Sequence, residues 1–176
     1  YETYDAAQNQ RTLADLQVTE WLLSQFSTID EVKAALSSVR VVGLEKTAVV
    51  HWRIGEPSGR QVVLEIVGGV PHFYENTVGV LTNAPGFEWQ LTNLNNYVNL
   101  HPGDASMQKL SGITLQPTGG NSGFLGIPGD ATPPSRFVRA AFYRGTAPQR
   151  ATGFDTVQQC FHLLNNFDIP IGIEHS

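Results

Sequence analysis

The chain has 176 residues, 41% of them hydrophobic, enough for one domain with a core of its own and too apolar for a disordered segment or a coiled coil. Its formal charge of −5, with 11 Lys and Arg residues in no dense cluster, opposes a phosphate backbone, so nucleic acid is not an expected partner. No apolar run nears the ~20 residues that cross a bilayer, and Tyr1-Glu2-Thr3-Tyr4-Asp5 lacks the basic and apolar regions of a signal peptide, so no membrane partner is expected.

Over residues 12–26, Leu13, Leu16, Leu23 and Phe26 recur at helical spacing, flanked by Val18, Trp21 and Leu22, and predict a first helix with a broad buried face. Thr28 followed by Glu31 is a capping-box pattern ahead of Ile29, Val32, Ala35, Leu36 and Val39, which predicts a second, short helix. The period then changes. Residues 47–54 and 61–67 are rich in β-branched side chains and flank Gly55-Glu56-Pro57-Ser58-Gly59-Arg60, a hairpin pattern. Gly68-Gly69 leads to Val70-Pro71-His72-Phe73-Tyr74 at the spacing of a tight turn, and residues 78–82 are a fourth candidate strand. The centre therefore reads as an antiparallel sheet.

Residues 87–100 are a weaker helix candidate, because their Asn residues and Thr92 lower the propensity. Residues 101–126, rich in Gly, Ser, Pro and Thr without a clear period, read as a long loop. Thr132-Pro133-Pro134-Ser135 joins an N-cap residue to proline in the first turn, and Phe137, Val138, Ala140, Ala141 and Phe142 follow, predicting a helix over 134–144. A last helix over 154–167 carries Phe154, Val157, Phe161 and Leu164 on one face. Helices at both ends of a meandering sheet give an α+β layered arrangement, with no internal repeat and no boundary that divides residues 1–176 into two domains.

Cys160 is the single cysteine, so an internal disulfide is impossible and the redox compartment leaves no trace. It lies mid-helix beside Phe161 and three residues after Val157, which reads as a buried, unreactive thiol rather than a nucleophile. Histidines 51, 72, 101, 162 and 175 show neither an H-x-x-x-H nor a Cys/His ligand spacing, and no metal or cofactor is expected. His51 and His162 read as partly buried structural residues. Phe87, Trp89 and Tyr97, at helical spacing, read as core rather than as an acyl pocket. Asp130 reads as a turn or helix-start acceptor. Taken alone, Asn83 is a turn residue before Pro85, and Arg136 is a surface cation in a first helical turn, against the dipole.

Two segments stand apart. The first runs Val80-Leu81-Thr82-Asn83-Ala84-Pro85-Gly86-Phe87-Glu88-Trp89-Gln90-Leu91-Thr92-Asn93-Leu94-Asn95-Asn96-Tyr97, and the second Gly126-Ile127-Pro128-Gly129-Asp130-Ala131-Thr132-Pro133-Pro134-Ser135-Arg136-Phe137-Val138-Arg139-Ala140-Ala141-Phe142. In this order, joined by a Gly-rich loop, they resemble the choloylglycine hydrolase and penicillin V acylase family. Phe26-Ser27-Thr28-Ile29-Asp30-Glu31-Val32 and Phe161-His162-Leu163-Leu164-Asn165-Asn166 are similar to further family segments.

The resemblance implies an αββα four-layer sandwich of the N-terminal-nucleophile type, present as an incomplete central portion about half the family's length. It implies hydrolysis of a conjugated bile acid or penicillin V-like amide through a cysteine acyl-enzyme, in which a terminal cysteine has its own α-amino group as base. The chain begins at Tyr1, and nothing in its first residues plays the parts of the family's cysteine and the Arg and Asp that follow it, so the nucleophile is expected outside this chain and the isolated span is expected to be inactive. Asn83 matches the side chain that donates to the oxyanion, and Arg136 the arginine that positions the thiolate. Neither cofactor nor metal is implied. The loop 101–126 matches an assembly loop, implying a homotetramer, and the implied location is bacterial cytoplasm or periplasm. Acyl-homoserine lactone acylase is an alternative within the class, and a non-catalytic ligand-binding or assembly relative is the alternative outside it.

Overall fold

The computed structural model describes residues 2–3, 11–43 and 50–173. The backbone divides into two units, Tyr1–Phe87 and Glu88–Ser176.

In the first unit, β1 (Glu2–Thr3), β2 (Thr12–Ala14) and β3 (Arg40–Gly43) form a parallel sheet in the order β1-β3-β2, with Leu13 opposite Val41. Parallel neighbours need a crossover. It is supplied by a 3-10 turn at Asp15–Gln17, α1 (Val18–Gln25) and α2 (Ile29–Leu36). The helix expected over residues 12–26 thus begins only at Val18, because the ladder to β3 claims its first three residues. That shift changes the buried face. Val18 and Leu22, four residues apart, are buried, whereas Leu16 and Leu23 are 72% and 82% exposed.

The capping box forms as read: Thr28 Oγ1 accepts from the Glu31 N–H at 3.3 Å, and Glu31 Oε2 accepts from the Ser27 and Thr28 N–H groups at 2.9 Å each. Behind it, Ile29, Val32 and Leu36 are buried.

The antiparallel sheet also forms, with β5 (Gln61–Val67) between β4 (Trp52–Gly55) and β6 (Val70–Glu75). The expected first strand's residues 47–49 lie outside the described residues. Gly68 and Gly69, with φ of 57° and 79°, make the two-residue turn between β5 and β6, a backbone that side chains resist. As the middle strand, β5 is buried on both faces from Val62 to Ile66. Leu64 and Ile66 join Val18, Leu22, Val32, Leu36 and Val41 in one core, with Trp21, Phe26, Trp52 and Phe73 packed against it.

Residues 78–82 are not a strand. Asn76, 4% exposed, accepts from the Gly79 N–H through Oδ1 at 2.8 Å and donates through Nδ2 to the Val80 carbonyl at 3.1 Å, closing a turn around Gly79 at φ 64°. A side-chain amide has taken the place of a ladder partner.

Phe87 opens α3 (Phe87–Asn93), which a 3-10 turn at Leu94–Tyr97 continues. The region expected to be all loop contains a hairpin, β7 (Gln108–Leu110) with β8 (Ile113–Leu115). Its two turn residues, Ser111 and Gly112, have φ of 48° and 86°, the left-handed pair that suits the strand twist. Thr132 precedes α4 (Pro133–Thr146), whose Phe137 and Val138 are buried. Thr152 caps α5 (Gly153–Leu164) by accepting from the Asp155 N–H at 3.1 Å, and a 3-10 turn at Asn165–Phe167 follows.

The burial expected of Cys160, His162 and Trp89 is corrected. The α5 stripe of Phe154, Val157, Phe161 and Leu164 is exposed, at 55% or more for each, and Cys160 and His162 are exposed with it. Periodicity specifies an apolar face, but only an element packed on that face buries it. Trp89 is exposed on α3 while Phe87 is buried, since residues two apart point to opposite sides of a helix. Among the described residues, no helix is long and apolar enough to cross a membrane.

Candidate active site

The loop that carries Asn83 leaves β6 through the Asn76 turn and enters α3 at Phe87. Its ends are buried, at Val80 and Phe87, while Asn83, Ala84, Pro85 and Gly86 between them are exposed. Asn83 is therefore presented to solvent from a short segment that is anchored on either side.

Beneath the loop lies Glu65, a carboxylate in the middle of the buried strand β5 and only 8% exposed. Its Oε1 accepts from the Phe87 N–H at 2.7 Å and stands 3.5 Å from Nδ1 of His51. The other ring nitrogen of His51, Nε2, pairs with the Thr82 carbonyl oxygen. A buried charge without partners is costly, and these two contacts compensate for water. A Cβ on Gly86 would sit 3.0 Å from Glu65 Oε2, so glycine lets the loop close over the carboxylate. Asn83, Ala84 and Gly86 from the loop, with His51, Glu65 and Ile66 from the sheet side, line a cavity of about 410 Å³.

His51 was expected to be a partly buried structural residue, and it is partly buried, with Glu65 and Thr82 as partners. Sequence reasoning did not single out Glu65. Its signal was a lone acid inside Gln61-Val62-Val63-Leu64-Glu65-Ile66-Val67, a strand apolar on both faces.

Arg136 belongs to the second unit, in the first turn of α4, with its side chain partly buried. Its Nε donates to the Ala131 carbonyl at 3.0 Å. One turn on, the buried Arg139 donates from Nη1 to the Pro128 and Asp130 carbonyls at 2.8 Å each, and its guanidinium lies 5.4 Å from the centre of the Phe167 ring. Asp130 accepts from the Thr132 N–H at 2.9 Å, from the Thr132 hydroxyl and from the Ser135 hydroxyl at 2.6 Å. These donors, Ser135 foremost, hold its carboxyl down to about 2. Asp130 is thus the helix-start acceptor expected of it, and the loop 128–132 that supports Arg136 is tied to α4 through hydrogen bonds from the side chains of Ser135, Arg136 and Arg139. Among the described residues, no group of three or more His, Cys, Asp or Glu side chains is placed to hold a metal ion.

An exposed carboxamide on an anchored loop and a tethered guanidinium on a helix are groups suited to binding anionic oxygen or sulfur. The model of the linear amide C–N hydrolases of the choloylglycine hydrolase family matches residues 1–176. The chain is 36% identical over 151 residues to a bile salt hydrolase/transferase of Clostridium perfringens, covering 83% of this chain and 46% of that protein. It is 36% identical over 161 residues to a conjugated bile acid hydrolase of Lactobacillus acidophilus, covering 88% and 50%.

Among solved structures, a variant of the conjugated bile acid hydrolase of Clostridium perfringens superposes with a TM-score of 0.83 at 31% identity, over all of this chain and 55% of that one. The penicillin V acylase of Agrobacterium tumefaciens does so with a TM-score of 0.72 over 99% of this chain and 48% of that one, at 20% identity, which speaks to the fold alone. The chain spans about half the length of the curated relatives it matches. These likenesses bear out the expected α+β fold of the N-terminal-nucleophile type, of which the 176 residues carry a part. By its sequence over its whole length, the chain belongs to the choloylglycine hydrolase family of linear amide C–N hydrolases.

Proposed function

We propose that the complete protein hydrolyses a non-peptide amide C–N bond of a small molecule through a thioester acyl-enzyme on a cysteine outside the 176 residues. The observation that carries this reading is the family match over residues 1–176, which includes an exposed Asn83 beside an open cavity. Attack on an amide carbonyl places negative charge on oxygen, and a donor fixed in advance stabilises that charge without reorganising during the reaction. Asn83 has this role through its side-chain amide. A cation beside a thiol favours the thiolate and holds it in place. Arg136 has that role, with one edge of its guanidinium anchored on Ala131.

Hydrolysis of this kind needs neither metal nor cofactor, and none is assigned. The relatives named for bile salts and conjugated bile acids make a conjugated bile acid the first substrate to test and a penicillin V-like amide the second. The complete protein is assigned a homotetramer, with the β7–β8 hairpin, where Leu110, Ile113 and Leu115 are exposed, as a subunit contact.

The test is release of free amine from a glycine-conjugated bile salt and from phenoxymethylpenicillin by the complete protein. At least one is cleaved, and Asn83→Ala lowers kcat by about 10²–10³-fold while the circular dichroism spectrum is retained. A folded complete protein that cleaves neither, or an Asn83→Ala variant with unchanged kcat, overturns the reading.

A further inference from the structure

Glu65 is a charge within Val62–Ile66, a buried stretch of β5 whose other residues are apolar, and the chemistry proposed above gives it no part. Its contacts lie along one short loop. Through Oε1 it holds the Phe87 N–H at 2.7 Å, four residues beyond Asn83. The same oxygen faces Nδ1 of His51 at 3.5 Å, and the opposite edge of that imidazole pairs with the carbonyl of Thr82, one residue before Asn83. We propose that Glu65 and His51 are positioning residues that fix the loop 82–87, and through it the carboxamide of Asn83; the proposal rests on the reading of Asn83 as the oxyanion donor.

A carboxylate that merely capped the start of α3 would need only its bond to Phe87. The second arm, through His51 to Thr82, reaches the other side of Asn83 and adds nothing to a cap. The frame behind both arms is stiff. Glu65 sits on the middle strand of the sheet, paired to His72 of β6 on one side, with Leu64 next to it paired to Trp52 of β4 on the other. Gly86 brings the loop backbone down onto the carboxylate, since a Cβ there would stand 3.0 Å from Oε2. The upstream stem is held independently, by the Asn76 amide on the Val80 carbonyl at 3.1 Å. An oxyanion donor must keep its place to within a fraction of an ångström, and a displacement of about 1 Å costs about 10²-fold in rate. Two polar ties to one buried carboxylate, on either side of the donor, are a means of holding that tolerance.

The experiment uses the complete protein, with a glycine-conjugated bile salt as substrate. Glu65→Ala and His51→Ala each accelerate hydrogen–deuterium exchange in peptides covering 82–87 and leave those of α1 and α2 unchanged. Each lowers kcat by about 10-fold or more with KM within about twofold. Glu65→Gln keeps an oxygen that accepts from Phe87 N–H and recovers most of both losses. Placed on an Asn83→Ala background, Glu65→Ala and His51→Ala cost little further, because the group they position is gone.

Unchanged exchange at 82–87 in the alanine variants overturns the proposal whatever the activity, as do losses that add in full on the Asn83→Ala background. If Glu65→Ala does not fold, His51→Ala carries the same test. An Asn83→Ala variant with wild-type kcat overturns both readings of Asn83, and the exchange result then tells whether the tether to the loop exists without that role.

Discussion

Asp130 collects three hydrogen bonds ahead of α4, from the Ser135 hydroxyl and from the hydroxyl and N–H of Thr132, and its carboxyl titrates at about 2 against about 3.9 in an unfolded chain. A depressed native value means that the unfolded state binds the proton first. The contribution of Asp130 is therefore whole above about pH 4 and is lost as pH falls through about 2. Glu31, Glu56 and Glu75 are also held below the ordinary carboxylate range, by the Ser27 N–H, the Ile29 N–H and the Arg60 guanidinium respectively. Acid sensitivity is thus shared among several groups, and the comparison with a variant isolates one of them. Urea midpoints followed from about pH 5 to about pH 2 should fall less steeply for Asp130→Asn than for wild type; parallel curves would show that the three bonds carry no linkage. At this scale the sequence revealed groups whose partners are near in the chain. Asp130 was legible from turn chemistry, and Asn83 and Arg136 were singled out only by the motifs around them. Glu65 and His51 were not legible as partners, because the bonds that define them span 22 and 31 residues.

The best-read element is α2, whose start is written in four consecutive residues. Thr28 Oγ1 satisfies the N–H of Glu31, and Glu31 returns the favour to the N–H groups of Thr28 and Ser27. Removal of such an N-cap typically costs about 1 kcal/mol. Thr28→Ala should lower the free energy of unfolding by about that amount in urea denaturation, with Thr28→Ser close to wild type. A loss shared equally by Ser and Ala would place the effect in the methyl group instead of the hydroxyl. The elements that were misread were decided by contacts that local periodicity does not register. The three residues of β2 became a strand through pairing with β3, beyond the reach of local periodicity. The candidate strand over 78–82 was lost to the Asn76 amide. The β7–β8 hairpin escaped because strands of three residues are too short to show alternation, although its Ser111-Gly112 turn is a recognisable signal.

At the scale of the whole molecule, the question is where exposed apolar surface ends up. A two-stranded ribbon has little stability of its own in water, yet β7–β8 turns Leu110, Ile113 and Leu115 outward, with Met107 just before them. Leu110 and Ile113 are direct cross-strand partners beside the turn, so their side chains form one patch at the ribbon tip. Such a patch is stabilised when another surface covers it, and a symmetric assembly offers the same covering surface on every subunit. In the complete protein, Leu110→Ser combined with Ile113→Ser should shift sedimentation equilibrium from the proposed tetramer toward smaller species, while the far-ultraviolet circular dichroism stays as in wild type. Because Asn83 and its supporting pair, Glu65 and His51, lie in the other unit of the chain, the dissociated variant should keep the hydrogen-exchange protection of residues 82–87. A doubly substituted protein that still sediments as the wild type would remove the hairpin from the subunit contact.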